Sequence, residues 1–420
     1  MNYDIIVVGG GPAGLCAAKK AAQAGHKVAV YEKSKEIGYP VHTSGVSWID
    51  EMDSLGAPRT FMHCITAIDV FTNNSKASFE YKTPPICVLD VRSYYQYLAD
   101  QAAIAGAEIH VDATVTDPIV DNDFVKGVSV RVHGKQYTAR SKVVIDASGF
   151  AALLARKMGL TSKWKAFGAG AEYEIRAPSW DEEKICFVIS NKVAPAGYAW
   201  FFPCGNHRVR VGIGVARPIS KADPVELLDA FLSDETNQLA MKLRPYSTVE
   251  FHHGLAPCDC VLSKAVHNGL VVVGDAAGQI SALGGEGIRF AVDIGGMAGA
   301  AAARAISIGR YDQKALIDYE KRWRKKYERK FKIAFELNKY RQKYTDDDWD
   351  EKIRRLSMLT PDSLVTFLKG DYTLTSFFQV LRKQPKMSYR LVSKIVKRKL
   401  QTKGILKKSK SNNEKKKGKR

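Results

Sequence analysis

A nearly continuous apolar run over residues 3–8 opens the chain and reads as a strand buried on both faces. Small residues over 14–24 then form a helix, and residues 27–32 are a second strand, which makes a βαβ unit. Residues 36–60, punctuated by Gly, Pro and Ser, read as loop. Apolar–polar alternation marks short strands near residues 67–71 and 77–81. Residues 93–106 are an amphipathic helix with Tyr94, Tyr97, Leu98 and Ala102 at helical spacing. Further short strands fall near 108–111, 125–132 and 136–139, and Val143–Asp146 is another buried run. From about 165 to 255 the period switches to strand alternation, as in 199–203 and 209–215, which predicts an antiparallel sheet inserted into the chain. Residues 270–275 return to parallel-strand character. Residues 290–308 are Gly- and Ala-rich but broken by Asp293 and Arg304, so they read as a buried packing helix rather than a membrane span. After Asp312 a long charged helix carries Leu316, Tyr319, Trp323, Tyr327, Phe331 and Phe335 on one docking stripe.

Composition adds a soluble globular class: 45% of the 420 residues are hydrophobic and 26% charged, enough to bury a large cofactor. The seven cysteines lie scattered, with only Cys258 and Cys260 close together and no CxxC pair. This reads as reduced thiols in a reducing, cytoplasmic compartment, with no zinc site. No signal peptide precedes the first strand. Net charge is +20, and from Arg382 onward seventeen Lys or Arg stand against a single acid, Glu414. Such a tail can be solvated disorder or can attract an anionic membrane surface, placing the protein at the cytoplasmic face. Nucleic acid is the least favoured partner, because the rest of the chain has no recognition motif.

The strongest motif is Gly9-Gly10-Gly11-Pro12-Ala13-Gly14, which follows an apolar strand, opens a helix and is followed by an acid, Glu32, at the end of the next strand. Gly9 permits a tight turn, Gly11 lets backbone N–H groups approach a pyrophosphate, and Gly14 lets helix and strand pack closely. The helix N-terminus sets partial positive charge against phosphate, and Glu32 accepts from ribose hydroxyls. FAD and NAD are not separated by this motif. A second glycine-bearing turn, Gly274-Asp275, leads through Gly284–Ile288 into a helix. Asp275 can hold ribityl hydroxyls, and Gly287 and Ile288 can offer N–H groups to a flavin ring edge, which selects FAD.

These two turns together with Val143-Val-Ile-Asp146-Ala-Ser-Gly149 resemble the three flavin-contacting motifs of the para-hydroxybenzoate-hydroxylase-like flavoproteins. Within that group, Pro195-Ala-Gly-Tyr198-Ala-Trp200-Phe-Phe202-Pro203 followed by Val211-Gly-Ile-Gly-Val215 is similar to the YxWxFP motif of the geranylgeranyl reductases, and residues 38–45 stand where that family has a PVxCG-type loop. The resemblance covers about residues 1–310. It implies an α/β fold: an FAD-binding three-layer Rossmann-like domain from 1–60, 86–160 and 262–310, and an antiparallel-sheet substrate domain from 61–85 and 161–261. A C-terminal helical region over 311–400 and a basic disordered tail over 401–420 would complete the chain. Carried over residue by residue, it implies flavin contacts at Ala13, Glu32, Thr43, Ser44, Arg92, Asp275, Gly287 and Ile288, with Val115 on the adenine side. Thr43 replaces the family's loop cysteine, and Ala152 stands where serine is common.

Alternation places Tyr198, Trp200 and Phe202 on one sheet face. Such a face is plain core or, as the resemblance implies, the apolar wall of a polyprenyl-lipid channel. The implied reaction is saturation of an isolated C=C bond by reduced flavin, with electrons from ferredoxin, NAD(P)H or a quinol-linked donor and a proton from His42 or Tyr198. A flavin monooxygenase or halogenase, and a non-catalytic prenyl carrier, are the competing readings.

Overall fold

In a computed structural model, which describes residues 2–371, the first strand Ile5–Val8 is buried at every position and lies at the heart of a six-stranded sheet. Ile5–Val8 pairs in parallel with Val143–Asp146 on one side and Val28–Tyr31 on the other. Leu270–Val272 extends the sheet beyond Val143–Asp146, and Glu108–His110 extends it beyond Val28–Tyr31. Only the edge strand Val266–His267 runs antiparallel. Strands buried on both faces need helices above and below them, and the small-residue pattern allows a close approach. The helix Pro12–Gln23 packs Ala13, Ala17 and Ala21 inward. Against it lies the helix Ile288–Ser307, where a Cβ on Gly295 or Gly299 would stand 2.4 Å from Ala13 O or 2.1 Å from Ala17 O. These two glycines let the helix backbones touch, which explains the Gly/Ala-rich composition of residues 290–308.

A seven-stranded sheet forms the second layer. Its order is Ser247–Pro257, Phe167–Arg176, Arg208–Arg217, Tyr198–Gly205, Lys184–Val188, Ala67–Phe71 and Lys76–Glu80. The expected antiparallel character holds except between Lys184–Val188 and Ala67–Phe71, which pair in parallel. One face packs Ala199, Phe201, Val209, Val211 and Ile213 against Leu228, Phe231 and Leu232 of the helix Pro224–Ser233. The other face is left for the site.

Two expectations are corrected. Residues 36–60 are not all loop: Val46–Trp48 is a strand and Ile49–Ser54 a helix, with Trp48, Ile49 and Met52 buried. Elements of three and six residues are too short to show a period in sequence. The helix after Asp312 is not uniform. Gln313–Trp323 and Arg329–Arg341 are α-helical, and Arg324–Glu328 between them is a π turn. The aromatic stripe advances mostly four residues at a time, faster than 3.6 residues per turn, and one wide turn keeps it on a single face. Leu316, Tyr319, Trp323, Tyr327 and Phe331 are all buried. Residues to Pro361 form one compact unit, and Pro361–Leu368 is a helix. No helix among the described residues is long and apolar enough to cross a membrane. The basic tail and the end of the proposed helical region lie outside the described residues.

Candidate active site

Each glycine of the first turn has a different neighbour. Gly9 has φ +108°, and a Cβ there would stand 2.3 Å from Ala147 O. A Cβ on Gly14 would stand 2.1 Å from Gly9 O, so strand, turn and helix interlock through bare backbone. At Gly11 a Cβ would meet nothing within 4 Å. That space opens into a cavity of about 310 Å³, which Gly11, Pro12 and Ala13 line at the start of the helix. Glu32 braces the turn from behind, accepting from Gly10 N at 2.7 Å and Ser34 N at 2.8 Å through separate oxygens.

The rear turn faces the same cavity. Gly274 (φ +70°) donates its N–H to Gln279 Oε1 at 2.8 Å. Gln279 in turn donates to Tyr319 Oη at 3.0 Å, and Tyr319 donates to Val272 O at 2.8 Å. The C-terminal helix therefore fixes the turn through a buried hydrogen-bond chain. Asp275, half-buried at the cavity wall, accepts no side-chain hydrogen bond from the described residues, and burial pushes its carboxyl up to about 6. Gly287 caps the helix Ile288–Ser307, and both Gly287 and Ile288 line the cavity. Just before them, burial raises the Glu286 carboxyl although Arg289 and Trp48 Nε1, at 2.9 Å, both donate to it.

The wall opposite is the free face of the seven-stranded sheet, and its residues stand in rows across the strands. Ala216, Gly168 and Ala256 form one row, and Tyr198, Gly214, Gly170 and Gly254 the next. Trp200, Gly212, Glu172 and His252 follow, then Phe202, Arg210, Glu174 and Glu250. The face thus grades from small and apolar to charged. A Cβ on Gly212 would stand 2.4 Å from the Trp200 ring, so the indole lies flat across the missing side chain and donates from Nε1 to Glu172 Oε2 at 2.6 Å. Tyr198 donates its hydroxyl to Gly284 O at 2.8 Å, tying this sheet to the rear turn. The loop over residues 41–45 closes one side. A Cβ on Gly254 would stand 2.3 Å from His42 O, and His42 Nδ1 donates to His253 O at 2.8 Å. Arg210 donates to Ser44 O at 2.9 Å and holds the same loop from beneath.

Of the residues singled out from sequence, Gly11, Ala13, His42, Thr43, Ser44, Tyr198, Trp200, Asp275, Gly287 and Ile288 meet around this one cavity. Gly9, Gly14 and Glu32 stand behind its front turn. Arg92 and Val115 are elsewhere. The Arg92 guanidinium pairs with Glu36 at 2.6 and 3.0 Å and lies over Tyr39, while Val115 is buried in a strand paired with Val130. Sequence reasoning passed over Glu172, His252, Asn338 and Arg341, which also line the cavity. The first two left a faint signal, acids and a histidine alternating along otherwise apolar strands. Arg341 left none.

An open cradle at a helix N-terminus and an unpartnered acid at the far turn of the same cavity fit the pyrophosphate and polyol of a dinucleotide flavin. Residues 4–192 match the model of the FAD dependent oxidoreductases, and residues 168–252 match the geranylgeranyl reductase catalytic domain. The fold and site thus define an FAD-dependent oxidoreductase. The digeranylgeranylglycerophospholipid reductase of Methanocaldococcus jannaschii is 35% identical over 83% of this chain and 89% of its own. That of Methanosarcina acetivorans is 36% identical over 77% and 80%. The chain belongs to the digeranylgeranylglycerophospholipid reductase family. Among solved structures, a geranylgeranyl bacteriochlorophyll reductase-like protein from Thermoplasma acidophilum superposes with a TM-score of 0.82 at 25% identity, covering 93% of this chain and 99% of that one. A myxobacterial FAD-dependent halogenase gives 0.64 at 18% identity over 89% and 91%, a likeness of fold alone.

Proposed function

We propose that this chain saturates isolated carbon–carbon double bonds in the polyprenyl chains of a glycerophospholipid. The observation that carries the reading is the single cavity between the two glycine turns and the Tyr198–Trp200–Phe202 wall, which brings an apolar chain to the flavin site. Bound and reduced, FAD supplies the hydride equivalent. Gly11 and the helix start at Pro12 and Ala13 hold the pyrophosphate, and Glu32 keeps lone pairs for the ribose beyond those used by Gly10 and Ser34. Asp275 would accept from the polyol hydroxyls, the N–H groups of Gly287 and Ile288 would serve the part of the ring where charge builds on reduction, and Thr43 and Ser44 would help to hold the ring. The aromatic wall excludes water and binds isoprene units, each buried CH₂ contributing about 0.8 kcal/mol. Electrons enter from an external donor of the ferredoxin, NAD(P)H or quinol-linked type. The basic segment beyond Arg382 brings the protein to an anionic membrane that holds the lipid.

Arg341 holds the anionic head of the substrate. Its guanidinium faces the cavity and lies over the Tyr198 ring, its Nε donates to Asn338 Oδ1 at 2.7 Å, and it makes no ion pair among the described residues. Arg341→Gln is expected to weaken binding of an unsaturated phospholipid roughly 10- to 100-fold, the worth of a charge-assisted hydrogen bond, and to leave a neutral polyprenyl alcohol unaffected. Equal loss for both ligands in a fluorescence titration would sink this role. The function itself is tested by mixing photoreduced holoprotein anaerobically with digeranylgeranyl phospholipid. Flavin reoxidation should accompany a lipid mass gain of two hydrogens per reduced bond, and no gain across a panel of polyprenyl lipids ends the reading.

A further inference from the structure

We propose that Glu172 and His252 form the proton store for the double bond being reduced, refilled from solvent through Glu250. The proposal rests on the reductase reading and adds the source of the second hydrogen. An isolated alkene accepts hydride poorly, so a proton must reach one carbon as hydride reaches the other.

His252 and Glu172 are cross-strand partners, exposed by only 4% and 3%, and both line the cavity. His252 Nδ1 lies 2.9 Å from Glu172 Oε1, and Nε2 lies 3.0 Å from Glu250 Oε2. Ionised carboxylates only accept, so a ring bonded to one on each side carries a proton on both nitrogens. Burial by itself favours the neutral imidazole and lowers its pKa, and the bonds to Glu172 and Glu250 more than offset this, so the group titrates above the ordinary histidine value. The other charges around it are Glu174 on the neighbouring strand, Arg208 and Arg210 on the strand beyond, and Arg92, whose charge is felt at Glu250. Both strand arginines pair with Glu174, at 2.8 and 3.0 Å, which leaves Glu172 and Glu250 to the histidine. The Glu250 side chain is 34% exposed and connects the buried pair to water. Trp200 fixes the other Glu172 oxygen, so the carboxylate is held against the apolar wall where the isoprene chain lies.

The chemistry balances without another reagent. The imidazolium passes its Nδ1 proton to Glu172, and the π pair of the alkene forms a C–H bond with that proton as the C=C bond order falls by one. The adjacent carbon takes the hydride equivalent of the two-electron reduction. That leaves neutral His252 with its one proton on Nε2, so a flip of the ring turns the bare nitrogen toward Glu250, which passes it a proton taken from water and restores the imidazolium. The two donors suggested by sequence are less suited. Burial raises the Tyr198 phenol, whose proton is engaged by Gly284 O, and His42 is exposed to bulk water at the cavity edge.

The test is anaerobic stopped-flow reoxidation of photoreduced holoprotein by unsaturated phospholipid, for the wild-type chain and for Glu172→Gln, His252→Gln and Glu250→Gln. Glu172→Gln and His252→Gln should slow the step roughly 100-fold or more while lipid affinity and flavin content are retained. Glu250→Gln, which removes a positioning and relay group, should move the pH–rate profile to lower pH. A second measurement needs neither turnover nor flavin. In ¹⁵N-histidine spectra of the cofactor-free chain, His252 should be doubly protonated through neutral pH, and Glu172→Gln should shift its titration downward. Wild-type turnover together with an undiminished Glu172→Gln rate, or a neutral His252 at pH 7, overturns the proposal. Failure of the wild-type chain to react would remove the reductase reading, and this proposal with it.

Discussion

Replacing Gly14 by valine is expected to destabilise the folded protein strongly, whereas the same replacement at Gly11 should leave a stable chain with much weaker FAD binding. A Cβ at position 14 stands 2.1 Å from Gly9 O and 3.1 Å from Val7 Cγ1, and the carbonyl belongs to a turn already held by Ala147 and Glu32. Neither side can yield, so overpacking at this junction should reach or exceed the usual range of about 1–3 kcal/mol. At Gly11 the backbone is extended (φ −78°, ψ 176°), a conformation open to valine, and no protein atom stands in the way. The added side chain would instead fill the space assigned to the pyrophosphate and weaken FAD binding by about 100-fold, near 3 kcal/mol. Melting curves of the cofactor-free variants and flavin absorbance of the purified proteins distinguish the two. A Gly11→Val protein that purifies with a full complement of flavin would show that the cofactor lies elsewhere.

Asp275→Asn should raise the melting temperature of the cofactor-free chain at neutral pH and weaken FAD binding at the same time. Burial lifts this carboxyl from 3.8 to about 6, so the folded state favours its neutral form. Stability from that preference is complete below the unfolded value of 3.8 and is lost as pH rises through about 6. Above that, the folded chain carries a desolvated carboxylate, at a cost of at most about 3 kcal/mol, reduced by whatever water reaches the group through the cavity. The wild-type melting temperature should therefore fall relative to the variant between about pH 4 and pH 7. FAD should close the gap, because polyol hydroxyls would supply the donors that the acid lacks. Parallel melting curves for the two proteins across this range would mean that Asp275 carries no such penalty.

The parts of the fold that were legible in sequence are those where sterics leave one solution. Gly9 and Gly14 are needed where backbone meets backbone, and the alternation through Tyr198, Trp200 and Phe202 sends those side chains to the cavity while Ala199 and Phe201 enter the core. The aromatic stripe after Asp312 was legible for the same reason, although the π turn that keeps it aligned was not. What escaped depends on pairing across distance. Glu172 and His252 meet only because two strands far apart in the chain fall into register. Val46–Trp48 takes its structure from pairing with Ile86–Leu89, and Ile49–Ser54 from burying Ile49 and Met52 in one cluster with the helix Val91–Ile104, not from a period of their own. The Arg92–Glu36 pair was not legible because Glu36 lies in a segment read as featureless loop.

The row of Gly214, Gly170 and Gly254 beside Tyr198 makes room for the Trp200 ring, 3.2 Å and 3.3 Å from where a Cβ on Gly214 or Gly170 would stand, and for His42 O over Gly254, so the trough is floored with a flat indole and backbone instead of branches. Such a floor has no ledge to register where one isoprene unit ends and the next begins, so under the proposed function a prenyl chain can slide along it. Choosing which bond is reduced, and how many in succession, then falls to the anchor at the lipid's head, with Arg341 acting as the stop of a ruler whose scale carries no marks.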